Sequence, residues 1–187
     1  MDGAGIRWML YLARETGAVL TGSLIVRAGS RVHNRLVWAR PDGTLAHYDK
    51  RHLFRMAGEH ERYAGGSERL IVEVHGWRVC PLVCYDLRFP VYSRNCFDAA
   101  AQRLDYDLLL YVANWPSPRR HAWRTLLRAR AIENLAYCVG VNRVGVDGNQ
   151  LPYAGDSVAL DFLGEAIVEL GSDAGVVTAR LSAERLA

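Results

Sequence analysis

Lysine is almost absent from this chain: of its 23 Lys and Arg residues, only Lys50, in the run Tyr48-Asp49-Lys50-Arg51-His52, is a lysine. Arginine keeps its proton at any accessible pH, whereas an ammonium loses its proton readily on burial, so the one residue able to exchange protons stands out. A bias toward Arg that left one Lys behind by chance would account for it equally well until a second reactive group is found. Cysteine is also sparse. The four residues at 80, 84, 96 and 138 have no paired C-x-x-C spacing. They are too few for a disulfide scaffold and wrongly spaced for structural zinc, which points to reduced thiols in a cytoplasm. No apolar run reaches the roughly 18 residues of a spanning helix, and no basic N-terminal region precedes an apolar one, so neither a membrane nor export is expected. The arginines are interspersed among 20 acidic residues with a net charge of +3, which argues against a nucleic-acid partner. Neither a H-E-x-x-H run nor a Ser-His-Asp order is present, and the histidines have no metal-ligand spacing, so no metal or other cofactor is implied.

What remains is the composition of one ordinary globular domain of 187 residues, half of them hydrophobic. Periodicity predicts a helix over Ile6 to Glu15 with Trp8, Met9, Leu10 and Leu12 on its apolar face. It predicts a strand over Ala18 to Val26, a hairpin of Leu36 to Arg40 with Thr44 to Tyr48, and a second hairpin of Leu70 to His75 with Arg78 to Val83. Arg51 to Ser67 reads as a functional loop. Pro90 opens a predicted helix through about Arg103, a buried strand covers Tyr106 to Val112, and a strongly periodic helix covers Arg120 to Ala136. Strands follow over Cys138 to Val144, Asp156 to Asp161, Glu165 to Leu170 and Val176 to Leu181, and a helix begins near Leu181. The class is α+β, with helices covering sheets.

Cys84 ends the apolar strand Val79 to Val83 and precedes Tyr85-Asp86-Leu87-Arg88-Phe89-Pro90. A sharp strand-to-helix turn there would expose the sulfur, aim backbone N–H groups at an oxyanion and favour a thiolate. The competing reading, a small buried hydrophobe, is adopted for Cys80, Cys96 and Cys138. A Cys nucleophile without a His partner needs another proton carrier. Because Lys50 and Cys84 each close a hairpin, both are expected at one sheet edge.

Four ordered blocks then resemble the nitrilase, or carbon-nitrogen hydrolase, superfamily, and most closely its bacterial ω-amidase (2-oxoglutaramate amidase) branch. They are Tyr48-Asp49-Lys50-Arg51-His52-Leu53-Phe54, Val83-Cys84-Tyr85-Asp86-Leu87-Arg88-Phe89-Pro90, Tyr111-Val112-Ala113-Asn114-Trp115-Pro116 and Arg128-Ala129-Arg130-Ala131-Ile132-Glu133-Asn134. The resemblance implies an αββα sandwich and a Glu-Lys-Cys triad, with Cys84 as nucleophile and Lys50 as second member. It implies a second Glu beside the lysine, which is Glu59 by its position before Tyr63 and Gly66, with Glu61 as the alternative. Lys50 and the Tyr85 N–H would form the oxyanion hole. The general-base Glu of the family lies in a Pro-Glu-x-Phe stretch ahead of the first helix, and the chain starts after it. The expectation is therefore a partial domain, truncated at both ends and lacking the N-terminal strand.

The implied reaction is hydrolysis of a non-peptide amide through a Cys thioester, on the ω-amide of a short 2-oxo dicarboxylate, with release of ammonia. Arg88 is the candidate carboxylate clamp, or else an ion-pair partner of Asp86; Asn114 and Trp115 are candidate pocket residues, with a core role as the other reading of Trp115. A homodimer through the Pro90 and Arg120 helices is implied. Two alternatives are a catalytically impaired nitrilase-like module that binds small amides, and a thiol redox protein. Cys80 lies about 13 Å along the strand from Cys84, too far for a resolving partner.

Overall fold

In the computed structural model, which describes residues 1–186, the chain forms two compact units, Met1–Leu70 and a second one from Ile71 onward. The first begins with helix α1 (Ala4–Thr16), closed by Gly17 in the left-handed conformation at φ 64°. Ile6, Met9 and Ala13 recur at helical spacing and form its buried stripe, packed with Val37, Ala39, Leu20, Leu24 and Leu45. Trp8, predicted for that stripe, is 58% exposed, because the burial period starts at Ile6 and leaves position 8 on the outer side. Strands β1 (Leu20–Ala28), β2 (Arg31–Ala39) and β3 (Leu45–Asp49) form an antiparallel sheet with β2 in the middle. The predicted Pro41-Asp42-Gly43 turn joins β2 to β3 in a register that pairs Ala39 with Leu45 and Arg35 with Asp49. Central β2 is buried on both faces from Leu36 to Ala39. Beyond Lys50 the predicted loop holds a short 3₁₀ turn at Arg55–Ala57 and a single helical turn, α2 (Glu59–Arg62).

The second unit is built on a six-stranded sheet. Its strands are β4 (Val72–Val74), β5 (Trp77–Val83), β8 (Leu108–Ala113), β9 (Tyr137–Asn142), β12 (Val158–Leu160) and β13 (Ala166–Glu169). The spatial order is β13-β12-β9-β8-β5-β4. The three central strands β5, β8 and β9 run parallel, which explains why they read as continuous apolar runs. Between β5 and β8 lies a two-residue ladder of β6 (Phe97–Asp98) with β7 (Arg103–Leu104), and β10 (Val144–Val146) pairs with β11 (Pro152–Ala154) after β9. Helix α3 (Arg120–Asn134) crosses from β8 to β9 and buries Trp123, Leu127, Arg130, Ala131 and Asn134. It lies close on β9: a Cβ on Gly140 would stand 2.5 Å from Leu127 Cδ1 and 2.8 Å from Trp123 Cζ2.

Three predicted elements are not formed among the described residues, one of them the helix expected to begin near Leu181, where residues 183–186 make only a bend and a turn. Pro90 to Arg103 is not a helix, because polar side chains there bond the backbone in place of a helical ladder. Asn95 receives the Tyr106 N–H and donates to the Tyr106 and Asn134 carbonyls, while Asp98 accepts from the N–H groups of Ala100 and Ala101. The dimer contact expected from that helix is withdrawn with it. Val176 to Leu181 forms no strand, and Val176 is 98% exposed.

Candidate active site

Strand alternation decides where the Lys50 amine goes. Asp49 shares a face of the first sheet with Arg35, which grips it through Nε and Nη2 at 2.6 and 2.7 Å. Burial opposes ionisation of Asp49, yet the Arg35 bonds and charge outweigh it and hold the carboxyl below its usual range. Lys50, one residue on, points to the opposite face, where its N–H bonds the Asn34 carbonyl and its side chain is 3% exposed. There Lys50 Nζ meets Glu59 Oε2 at 2.6 Å. Glu59 also accepts the Phe54 N–H at 2.6 Å and the Asn34 amide at 3.2 Å. For Glu59 too, burial disfavours the charge, and the Lys50 ammonium with the Phe54 N–H and the Asn34 amide overcomes it, so its pKa is lowered. Glu61 is exposed on the outer side of the same turn, so of the two candidate carboxylates it is Glu59 that holds the lysine.

The loop is seated by Gly66, whose N–H bonds the Lys50 carbonyl. A Cβ at Gly66 would stand 2.2 Å from the Asp49 carbonyl oxygen, so no other residue fits there without moving the backbone next to Lys50. Asn34 has no signal in the sequence that links it to Glu59, 25 residues away.

In the second unit Cys84 follows the last residue of β5 and has φ 49°, the left-handed region. Such a conformation at a non-glycine residue costs about 1–3 kcal/mol and persists only when the surroundings enforce it. The chain then makes a 3₁₀ turn over Cys84–Arg88, so no α-helix follows the thiol directly as predicted. The turn is braced by buried Asp86, whose carboxylate accepts the Val83 N–H at 3.0 Å, and by the Phe89 N–H on the Asp86 carbonyl. The register pairs Val83 with Val112 and Ala113 with Asn142, so Cys84, Asn114 and Arg143 come at the carboxyl ends of three adjacent parallel strands. Ligands of parallel sheets bind at such an edge. The half-exposed Cys84 thiol lies 3.9 Å from the exposed Asn114's carbonyl oxygen.

Trp115 is 3% exposed; its indole N–H bonds the Arg119 carbonyl and its ring packs on Trp123. Exposed Arg88 lies over the Trp115 ring at 5.6 Å from the centroid, and Tyr85 stacks edge-on against Phe89. Beside them Tyr153 donates to Asp147 Oδ2 at 3.0 Å under the Arg143 guanidinium, a cluster the sequence did not suggest.

Two expectations change. Lys50 ends a strand of the three-stranded sheet and Cys84 a strand of the six-stranded one, so they do not share a sheet edge. Each hairpin was legible, but its sheet is set by long-range pairing. Cys96 is exposed and not a buried hydrophobe, whereas Cys80 and Cys138 are buried, with burial raising the Cys138 thiol pKa. A groove of about 770 Å³ lined by Trp77, Phe97, Leu104 and Leu135 includes none of the predicted site residues.

A family model described as carbon-nitrogen hydrolase matches residues 1–187. The omega-amidase YafV of Yersinia enterocolitica is 52% identical over 183 residues, covering 97% of this chain and 68% of that protein. The 2-oxoglutaramate amidase of Bacillus subtilis is 34% identical over 182 residues, covering 96% and 68%. Among solved structures, a protein of the CN-hydrolase superfamily from Xanthomonas campestris, with an arsenic adduct in its active site, is 59% identical. It superposes with a TM-score of 0.98 over all of this chain and 71% of its own. The chain thus spans about two thirds of the length of these relatives. The α+β fold implied by the four sequence blocks is the fold observed.

Proposed function

The chain belongs to the carbon-nitrogen hydrolase family, as an enzyme of the amidase kind, and on that premise we propose that it hydrolyses the ω-amide of a short 2-oxo dicarboxylate, such as 2-oxoglutaramate or 2-oxosuccinamate. The observation that carries this reading is Cys84, held at φ 49° on the carboxyl edge of a buried parallel sheet, where its sulfur is open to a ligand. The Cys84 sulfur attacks the amide carbon and the carbonyl oxygen takes the negative charge. The C–N bond then breaks, the nitrogen leaves with a proton as ammonia, and water cleaves the thioester to restore the thiol and release the dicarboxylate. The resemblance implies that Lys50 and the Tyr85 N–H hold the oxyanion, and Glu59, bonded to the Lys50 amine at 2.6 Å, orients it. The same resemblance assigns the general base to a glutamate N-terminal to these residues.

Arg88 is the carboxylate clamp in this reading, presented from the turn that carries Cys84 and supported on the Trp115 face. Asn114, exposed beside the Cys84 sulfur, completes the substrate side, whereas Trp115 is a core residue that backs Arg88 and not a pocket residue. Homodimerisation through α3 and residence in the cytoplasm belong to the same proposal. Among the described residues no helix is long and apolar enough to cross a membrane.

Substrate choice tests the proposal through ammonia release by the protein expressed from its full open reading frame. The ω-amides should exceed propionamide, which lacks the carboxylate, in kcat/KM by roughly 10²-fold or more, because an unpaired clamp is costly. Arg88→Gln should remove most of that preference by raising KM. Equal turnover of propionamide and the ω-amides would overturn the substrate assignment.

A further inference from the structure

The block Arg128 to Asn134 carries the family resemblance, yet nothing in the reaction above uses it. Its structural position gives it a task. Arg130 is 3% exposed on the inner side of α3, and its Nη2 donates to the Leu87 carbonyl at 2.6 Å. Leu87 lies inside the 3₁₀ turn that starts at Cys84, and it is fully buried. The last carbonyls of so short a turn have no partner within it. The Asp86 carbonyl is satisfied by the Phe89 N–H, and the Leu87 carbonyl by Arg130. Asn134, one helical turn beyond Arg130, bonds the Asn95 N–H from the same helix, so α3 holds both ends of the segment that follows the nucleophile.

A buried guanidinium is an expensive way to satisfy one carbonyl. Its other fork reaches Glu133 at 2.8 Å, a carboxylate that is itself 34% exposed, and its Nε has no hydrogen-bond partner. Burying a charge with such incomplete compensation adds little to stability. It does supply a short, charge-assisted bond from a rigid base, since α3 is seated on β9 at Gly140 with no slack. The opposite side of the turn is held by Asp86 on the Val83 N–H. With one clamp on the strand side and one on the helix side, the strained φ of Cys84 is fixed from both directions.

We propose that Arg130 is a positioning residue for the nucleophile, holding the Leu87 carbonyl so that the turn keeps Cys84 in its left-handed conformation with the sulfur at the sheet edge. This rests on Cys84 being the nucleophile of the proposed amidase, but its readout needs no substrate. On a Cys96→Ser background, which removes the exposed thiol, iodoacetamide alkylation of Cys84 is followed by peptide mass mapping across a pH series.

Arg130→Lys keeps the charge but cannot fork between Glu133 and Leu87. It is expected to fold by circular dichroism, to slow alkylation of Cys84 by roughly 10- to 100-fold, and to shift its pH profile. With an ω-amide it should lower kcat by a similar factor and leave KM within about threefold. Glu133→Gln keeps the Leu87 bond and should alkylate within about threefold of the parent. The proposal is overturned if folded Arg130→Lys alkylates like the parent, or if Glu133→Gln slows the thiol as much as Arg130→Lys does. An Arg130→Lys chain that does not fold also overturns it, since Arg130 would then serve the core and not the turn. If the parent hydrolyses no ω-amide while the alkylation results hold, the substrate assignment fails and the positioning role stands.

Discussion

Cys84→Ala is expected to lower ω-amide turnover by roughly 10⁴-fold or more, because no other group among the described residues of the six-stranded sheet edge offers a nucleophile of comparable strength. Loss of activity alone would be an ordinary result for a nucleophile. The sharper expectation concerns stability. Cys84 has φ 49°, where a Cβ crowds the following carbonyl and glycine has no such penalty. Cys84→Gly should therefore be about 1 kcal/mol more stable than Cys84→Ala in urea denaturation, although both are inactive. Equal stabilities, or a less stable glycine variant, would mean that the turn is not strained at Cys84. A more stable glycine variant would make the backbone at Cys84 a conformation that function requires and stability does not favour.

The second large effect belongs to the Lys50–Glu59 pair. Lys50 is almost wholly buried, and Glu59 is its ion-pair partner at 2.6 Å. Glu59→Ala leaves that ammonium buried without a counter-charge and should cost about 3–5 kcal/mol. Lys50→Met should cost less, because the Glu59 carboxylate keeps the Phe54 N–H and the Asn34 amide. The double variant Lys50→Met/Glu59→Leu should regain much of the loss, which a double-mutant cycle would read as strong coupling.

The pH dependence follows from the lowered pKa of Glu59. Its folded value lies below its ordinary value near 4.5, so the unfolded chain binds this proton more readily than the folded one. The stabilisation is fully present above about pH 4.5 and is lost as pH falls through the folded value. Wild type should thus lose stability more steeply than Glu59→Ala on the acid side of pH 4.5, with parallel curves at neutral pH. Parallel curves throughout would show that the pair contributes nothing to acid stability.

Much of the site was legible because its parts are local. The apolar run into Cys84, followed at once by polar residues and a proline, marked a strand that turns abruptly, and the structure has that turn with a positive φ. The single lysine marked itself by rarity, and Glu59 was reached through the family resemblance, whose pattern places the second Glu ahead of Tyr63 and Gly66. The α3 helix was plain from its periodicity and the absence of proline and glycine. What was not legible depends on partners far along the chain. Asn34 supports Glu59 from another strand, and Arg130 supports the Cys84 turn from 43 residues away. The false helix after Pro90 has the same cause: Asn95 is tied to Tyr106 and Asn134, and these bonds outweigh local propensity. Which sheet each hairpin joins was equally out of reach, and it is why Lys50 and Cys84 end strands of different sheets.

The most direct measurement is rapid acid quench of the full-length protein during turnover of 2-oxoglutaramate, followed by digestion and mass spectrometry of the peptide that carries Cys84. The account predicts an acyl adduct on that peptide that is discharged by hydroxylamine and is absent from Cys84→Ala. Ammonia release at an undiminished rate with no adduct on Cys84, or with the adduct on another residue, would contradict the thioester mechanism and remove Cys84 from its role as nucleophile.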